Sequence, residues 1–179
     1  MTEIQHQGYV NRRVLKLNVG FLLSEGIGYQ RVIDLDIPRI QVADDLELDY
    51  LKGDLRLSRN SRGILIQSEL ETSIVSECAR CLTTISVPVT FKLEELFSYP
   101  PDPDADYSVD DTGILDLAPL LREEAILAIP MGVLCRSECA GLCPQCGQNW
   151  NEGPCECDQD EIDPRLSILR NYRDPKNDE

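Results

Sequence analysis

Eight cysteines and a single histidine are the residues most able to do chemistry in this chain of 179. Two stand as Cys78-x-x-Cys81, and six follow as Cys135-x3-Cys139-x3-Cys143-x2-Cys146-x8-Cys155-x-Cys157. Eight thiolates divide into two sets of four, the ligand count of a closed tetrahedral zinc site. The segment Gly141-Leu142-Cys143-Pro144-Gln145-Cys146-Gly147 has the form of a zinc knuckle. There a tight turn points two sulfurs at one ion, and the glycine after the second cysteine supplies the permissive backbone. The preferred assignment is one site from Cys143, Cys146, Cys155 and Cys157, and a second from Cys78, Cys81, Cys135 and Cys139. The main competitor is a single four-thiolate site with spare thiols. One or two structural zinc ions are expected, and the same ligands would also serve an iron–sulfur cluster.

Other chemistry is hard to place. His6 lies in an N-terminal segment expected to be loose, so neither a Ser-His-Asp nor a Cys-His pair has a base. Gly26-Ile27-Gly28 is no phosphate loop, and the pairs Glu94-Glu95 and Glu123-Glu124 point in different directions on a helix. A redox role for Cys78-x-x-Cys81 needs a helix beginning at the motif, and Thr83-Thr84-Ile85-Ser86-Val87 is a poor helix start. The chain reads as a non-enzyme with no small-molecule substrate. Its first residues carry no basic or apolar leader, and no run approaches the ~20 apolar residues that span a bilayer. A cytoplasmic, reducing setting without a membrane follows as the expectation, and there clustered cysteines favour metal over disulfides.

The formal charge of -15 is uneven: residues 1–92 carry -1 and residues 93–179 carry -14. Such a field repels phosphate at long range. Nucleic acid would therefore have to meet the near-neutral first half, and the second half suits a basic partner.

The elements that must position the cysteines read as α+β: an antiparallel β-rich body, barrel-like or an open sheet, with a buried helix and a C-terminal zinc-knuckle lobe. Val14–Val19 alternates, with an apolar extension through Phe21-Leu22-Leu23; Arg31–Ile37 alternates and ends at Pro38. Residues 51–76 read as a long hairpin about the turn signal Asn60-Ser61-Arg62-Gly63, and Ile85–Phe91 resumes the pattern, so the first cysteine pair falls at a strand connection. Asp116 and Pro119 open a helix that Pro130 stops, with Ala125–Ile129 apolar all round and expected to be buried. Asp163–Arg170 reads as a C-terminal helix and Asp174–Glu179 as a frayed tail. The organisation is thus 1–98, the β body with the first Cys-x-x-Cys; 99–113, a mobile acidic Pro/Asp loop; and 114–179, the helix, the cysteine lobe and the C-terminal helix.

The order of Glu77-Cys78-Ala79-Arg80-Cys81-Leu82, Ile114–Pro130, Gly141–Gly147 and Asp163-Pro164-Arg165-Leu166 resembles the YceD-like family, implicated in accumulation of large-subunit ribosomal RNA. The resemblance runs from residue 77 to residue 169 and implies a non-catalytic factor in ribosome biogenesis. It would act on ribosomal RNA or a basic large-subunit ribosomal protein. Lys52, Arg56, Arg59 and Arg62 gather in sequence near one hairpin end and are the candidate RNA contacts. The alternative function is a redox- or zinc-responsive regulator, in which oxidation releases metal and unfolds the lobe.

Overall fold

The computed structural model describes residues 10–157 and residue 165. A 3-10 turn, Arg12–Leu15, leads into β1 (Lys16–Asn18) and a short helix α1 (Gly20–Ser24). Four long strands follow: β2 (Gln30–Ala43), β3 (Leu46–Asn60), β4 (Gly63–Glu77) and β5 (Thr84–Ser98). They form one antiparallel sheet in the order β2-β3-β4-β5, while β6 (Ile114–Asp116) pairs with β1 in a separate two-stranded ribbon. Helix α2 (Ala118–Ala128) packs against both outer strands, β2 and β5, and so covers the inner face of the sheet. The sheet is open, its outer strands unpaired with each other, rather than a closed barrel.

Alternation drives the sheet. Leu51, Leu55 and Leu57 on β3, Ile64, Ile66 and Leu70 on β4, and Val89, Phe91 and Leu93 on β5 fill one face. Burying each such side chain contributes about 1.5–3 kcal/mol. At the other end of β2 and β3 the buried set changes parity, from Leu35 and Ile37 to Ile40 and Val42, and from Leu51 to Leu48 and Leu46. The β3–β4 ladder shifts register between Leu48 and Leu51, a bulge that re-aims the strand. Gly53 sits beside it because a Cβ there would stand 2.4 Å from the Glu69 carbonyl oxygen. The β3–β4 turn is held by the Asn60 side chain, which accepts from the N–H groups of Arg62 and Gly63 at 2.8 and 3.1 Å.

Several expectations change. Strand β2 does not end at Pro38 but runs through it, opposite Tyr50. Pro38 lies on one edge strand and Pro88 on the other, where a missing N–H costs the ladder least. Phe21-Leu22-Leu23 is helical, not a strand extension, because Leu22 turns inward to full burial within α1. The second half of α2 is not buried: Ala125 is, but Ile126 and Leu127 face out. The loop after β5 is anchored rather than loose, since Tyr107 packs on Phe97 with ring centroids 5.2 Å apart and Val109 is fully buried. Because β6 pairs with β1, and α2 lies on the sheet, the chain from 114 to 128 packs with the body, ahead of the cysteine lobe. His6, the Asp163–Arg170 helix and the 174–179 tail lie outside the described residues, apart from Arg165.

Candidate metal centres

The eight sulfurs gather as two quartets, Cys78/Cys81/Cys135/Cys139 and Cys143/Cys146/Cys155/Cys157, each with all its sulfurs within 4.8 Å of one another. That grouping is the one the spacing predicts. Within the first quartet, Cys78 and Cys139 sulfurs are 3.7 Å apart and those of Cys81 and Cys135 are 3.6 Å apart. A disulfide would bring them to about 2.05 Å; a tetrahedral ion with metal–sulfur bonds of about 2.3 Å holds its sulfurs about 3.8 Å apart. The first quartet therefore fits a single four-coordinate ion. A four-iron cluster would put each thiolate on a different iron and spread the sulfurs more widely.

Each quartet is built on the same turn. Cys78 N–H donates to the Thr83 carbonyl at 2.9 Å and Leu82 N–H to the Cys78 carbonyl at 2.9 Å. Cys143 N–H donates to the Gln148 carbonyl at 2.8 Å and Gly147 N–H to the Cys143 carbonyl at 2.9 Å. Residue for residue, Leu82 occupies the place of Gly147. Gly147 has φ 76° and Leu82 has φ 56°, the one positive φ on a non-glycine among the described residues. The chain thus contains two knuckles, and a leucine in the glycine position hid the first.

The quartets are electrostatically tense on their own. Cys78 is drawn down to about 6, first by the N–H of Cys135 and then by that of Cys81. Cys155 is drawn down to about 6, first by the Trp150 indole N–H, 3.4 Å from its sulfur, and then by the N–H of Cys157. Cys135 is pushed up to about 12 by burial and then by the Cys81 thiol. Cys157 is pushed up to about 12 by its hydrogen bond with Cys146 and then by burial. Each quartet thus ionises its first thiol easily and resists ionising its last, because like charges crowd. A divalent cation removes that resistance.

The two sites differ in what they join. Cys78 and Cys81 follow β4, whereas Cys135 and Cys139 belong to the lobe, so the first quartet fastens lobe to sheet. Cys78, Cys81 and Cys139 form a small buried cluster of their own, with Leu134 and Leu142 against it. Arg80 reinforces the joint by donating to the Cys139 carbonyl at 2.9 Å, and Ala79 N–H donates to the Val133 carbonyl at 2.8 Å. The second quartet is local to residues 143–157 and more open, with Cys146 exposed. Asn151 ties the two together: its amide N–H meets the Cys139 sulfur at 3.3 Å, and its oxygen accepts from Ala140 N–H at 2.9 Å. The run Asn149-Trp150-Asn151 between the halves of the second knuckle was the available signal for these sulfur-facing donors.

The four basic candidates do not form one patch. Lys52 and Arg56 lie on the outer sheet face, where Lys52 pairs with Asp36 at 3.4 Å and Arg56 is opposite Val32 and Gln67. Asp34, Asp36, Asp54, Glu69, Glu71 and Glu94 are exposed on the same strands. The Arg59 guanidinium is spent on the turn, donating to the carbonyls of Asn60 and Gly63 at 2.9 and 3.0 Å. Arg62 is exposed at the tip.

Comparison with known proteins completes the description. The chain is 34% identical over 132 residues to an uncharacterised protein of Mycobacterium tuberculosis (strain ATCC 25618 / H37Rv), covering 70% of this chain and 63% of that one. It therefore spans a little under two thirds of the length of that relative. It is 30% identical over 120 residues to the uncharacterised protein YlbN of Bacillus subtilis, covering 64% of this chain and 69% of that one. Over 60 residues it is 33% identical to the large ribosomal RNA subunit accumulation protein YCED homolog 1, chloroplastic, of Arabidopsis thaliana, covering 34% of this chain and 19% of that one. No solved structure matches the chain. Residues 66–172, which include every cysteine, both knuckles and α2, match the family described as large ribosomal RNA subunit accumulation protein YceD, and the chain belongs to that family.

Proposed function

We propose that this protein is a non-catalytic, cytoplasmic factor that promotes accumulation of large-subunit ribosomal RNA by binding a ribosomal component, its architecture held by two structural zinc ions. The observation that carries the structural half is the closure of both quartets. A four-thiolate site leaves no open ligand position, and together they use all eight thiols. Family membership carries the ribosomal half. The charge distribution favours a basic protein of the large subunit over naked RNA, since the outer sheet face is rich in carboxylates and the chain carries -15. A second reading puts RNA at the hairpin tip, favoured by exposed Arg62; unchanged RNA binding in R62E would discard it. The redox-responsive alternative is not favoured, because the family match points to ribosomal RNA accumulation.

Two measurements test the proposal. Native mass spectrometry should find two zinc ions per chain, falling to one in Cys143→Ser. Deleting the gene should lower the ratio of large- to small-subunit ribosomal RNA, with restoration by the wild-type chain. A ratio unmoved by deletion would reject the ribosomal role.

A further inference from the structure

The two quartets meet across one short strap, Asn149-Trp150-Asn151, whose last two side chains serve different quartets. The Trp150 indole N–H reaches the Cys155 sulfur of the second quartet at 3.4 Å. The Asn151 amide N–H reaches the Cys139 sulfur of the first at 3.3 Å. The strap itself belongs to the second knuckle, between Cys146 and Cys155. There Trp150 N–H donates to the Gly141 carbonyl at 3.0 Å, and Asn149 forms a bridge with Leu142. Asn151 thus ligates neither ion, is carried by one quartet and touches the other.

The polar atoms of the Asn151 side chain are all used, and this fixes which way its amide faces. Its oxygen accepts from Ala140 N–H at 2.9 Å and from the Arg136 guanidinium at 2.6 Å. Its nitrogen donates to the Asn149 side-chain oxygen at 2.8 Å as well as to Cys139. A flipped amide would set oxygen against sulfur and nitrogen against N–H donors. Arg136 and Ala140 lie on either side of Cys139, so one side chain both places that loop and offers its sulfur a hydrogen bond. Such a donor favours the thiolate and orients it toward an ion. Asn151 holds its position only while residues 143–157 are ordered, and of these only Cys143 is buried. With so little apolar burial, metal at the second quartet is what orders the strap.

We propose that the two quartets bind zinc cooperatively and that Asn151 is the positioning residue that couples them. This rests on the two-zinc reading above and adds to it a coupling between the ions. Loading the second quartet fixes the strap, and the strap presents the N–H and the Ala140 anchor to the first. By linkage, loading the first quartet strengthens the second by the same factor.

The probe is zinc itself, titrated into the full, reduced, metal-free chain in competition with a chromophoric chelator. Two single-site chains give the reference: C146S/C157S keeps the first quartet, and C81S/C135S keeps the second. Cooperative binding predicts that the product of the two wild-type affinities exceeds the product of the single-site affinities by about 5–150-fold. Equal products overturn the inference. The deciding variant is Asn151→Asp, which keeps the oxygen used by Ala140 and Arg136 but turns a second oxygen toward the Cys139 sulfur. It should lower the wild-type product by roughly 10–100-fold and leave the second quartet alone, in C81S/C135S, within about twofold. Asn151→Ser should show a loss of the same kind, which separates a missing N–H from an added charge. Coupling undiminished in both variants means that packing of Leu142 on the Cys78, Cys81 and Cys139 cluster carries it, and overturns the role of Asn151. An equal loss at the second quartet makes Asn151 a support of the lobe and overturns it too. Native mass spectrometry of the same samples counts the ions. Two ions bound independently sink the coupling alone, whereas fewer than two on the wild-type chain sink the two-zinc reading with it.

Discussion

At the scale of the residue, the thiols are tuned by their neighbours and set a pH signature. Without metal, Cys78 and Cys155 have folded values near 6, below the ~8.5 of an unfolded thiol. Their contribution to stability is therefore complete above ~8.5 and lost as pH falls through about 6. Cys135 and Cys157, held near 12, act in the opposite sense, since the unfolded chain releases their protons above ~8.5 and the folded chain keeps them. The metal-free lobe should thus be most stable near pH ~8.5 and weaken on both sides. Trp150, the single tryptophan, sits beside Cys155 and reports the transition by fluorescence in a urea series. With zinc bound, all four thiols of each quartet are held as thiolates, so acidification should release the metal as protons compete for those sulfurs. A metal-free urea midpoint that does not move with pH would contradict this account.

At the scale of the element, the two knuckles share a hydrogen-bond pattern but not a sequence. Leu82 is 59% exposed and takes the left-handed conformation that Gly147 takes freely. That conformation costs a non-glycine residue about 1–2 kcal/mol, and an exposed side chain regains little of it. Leu82→Gly should therefore stabilise the first knuckle by up to ~1 kcal/mol after the extra freedom of glycine in the unfolded chain is deducted. Leu82→Val should destabilise it by about 1–2 kcal/mol, because a β-branched side chain fits that region worst. Thermal unfolding of the zinc-loaded variants checks both signs. The same reasoning shows why this element was half legible. Gly147 announces its turn in the sequence, while Leu82 conceals an equal turn that only the backbone angles reveal. The bulge in β3 was legible in principle, as the apolar set switches from Leu46 and Leu48 to Leu51, Leu55 and Leu57.

At the scale of the whole molecule, two cores are joined through metal ligands. The sheet, α1 and α2 share one large apolar core, whereas the buried residues of the lobe are Cys139, Cys143 and glycine 141 among those described. A structural zinc in a small lobe supplies about 10–16 kcal/mol of folding free energy, and this lobe has little else. Chelation should destabilise residues 130–157, lowering the urea midpoint that Trp150 reports, and leave the sheet intact. Limited proteolysis should then cut after Arg136 in the metal-free protein and spare the zinc-loaded one, while the far-UV signal of the strands changes little. Loss of the sheet on chelation would show that the first quartet is needed by the body as well.

Residue types and spacing by themselves determined the ligand count and the strand-rich body, and made the two quartets the preferred grouping beside a single site with spare thiols, because thiol chemistry and period-two burial are local properties. They also carried the family. Tertiary structure alone decided which grouping of the thiols forms and whether basic residues close in sequence share a surface. Arg56, Arg59 and Arg62 are near neighbours along the chain, but the pleat sends Arg56 to the outer face and the turn consumes Arg59. The exposed end of α2 was equally hidden. Ala125–Ile129 reads as buried from hydropathy, yet a helix lying across a sheet buries one side, and Leu127 is on the other.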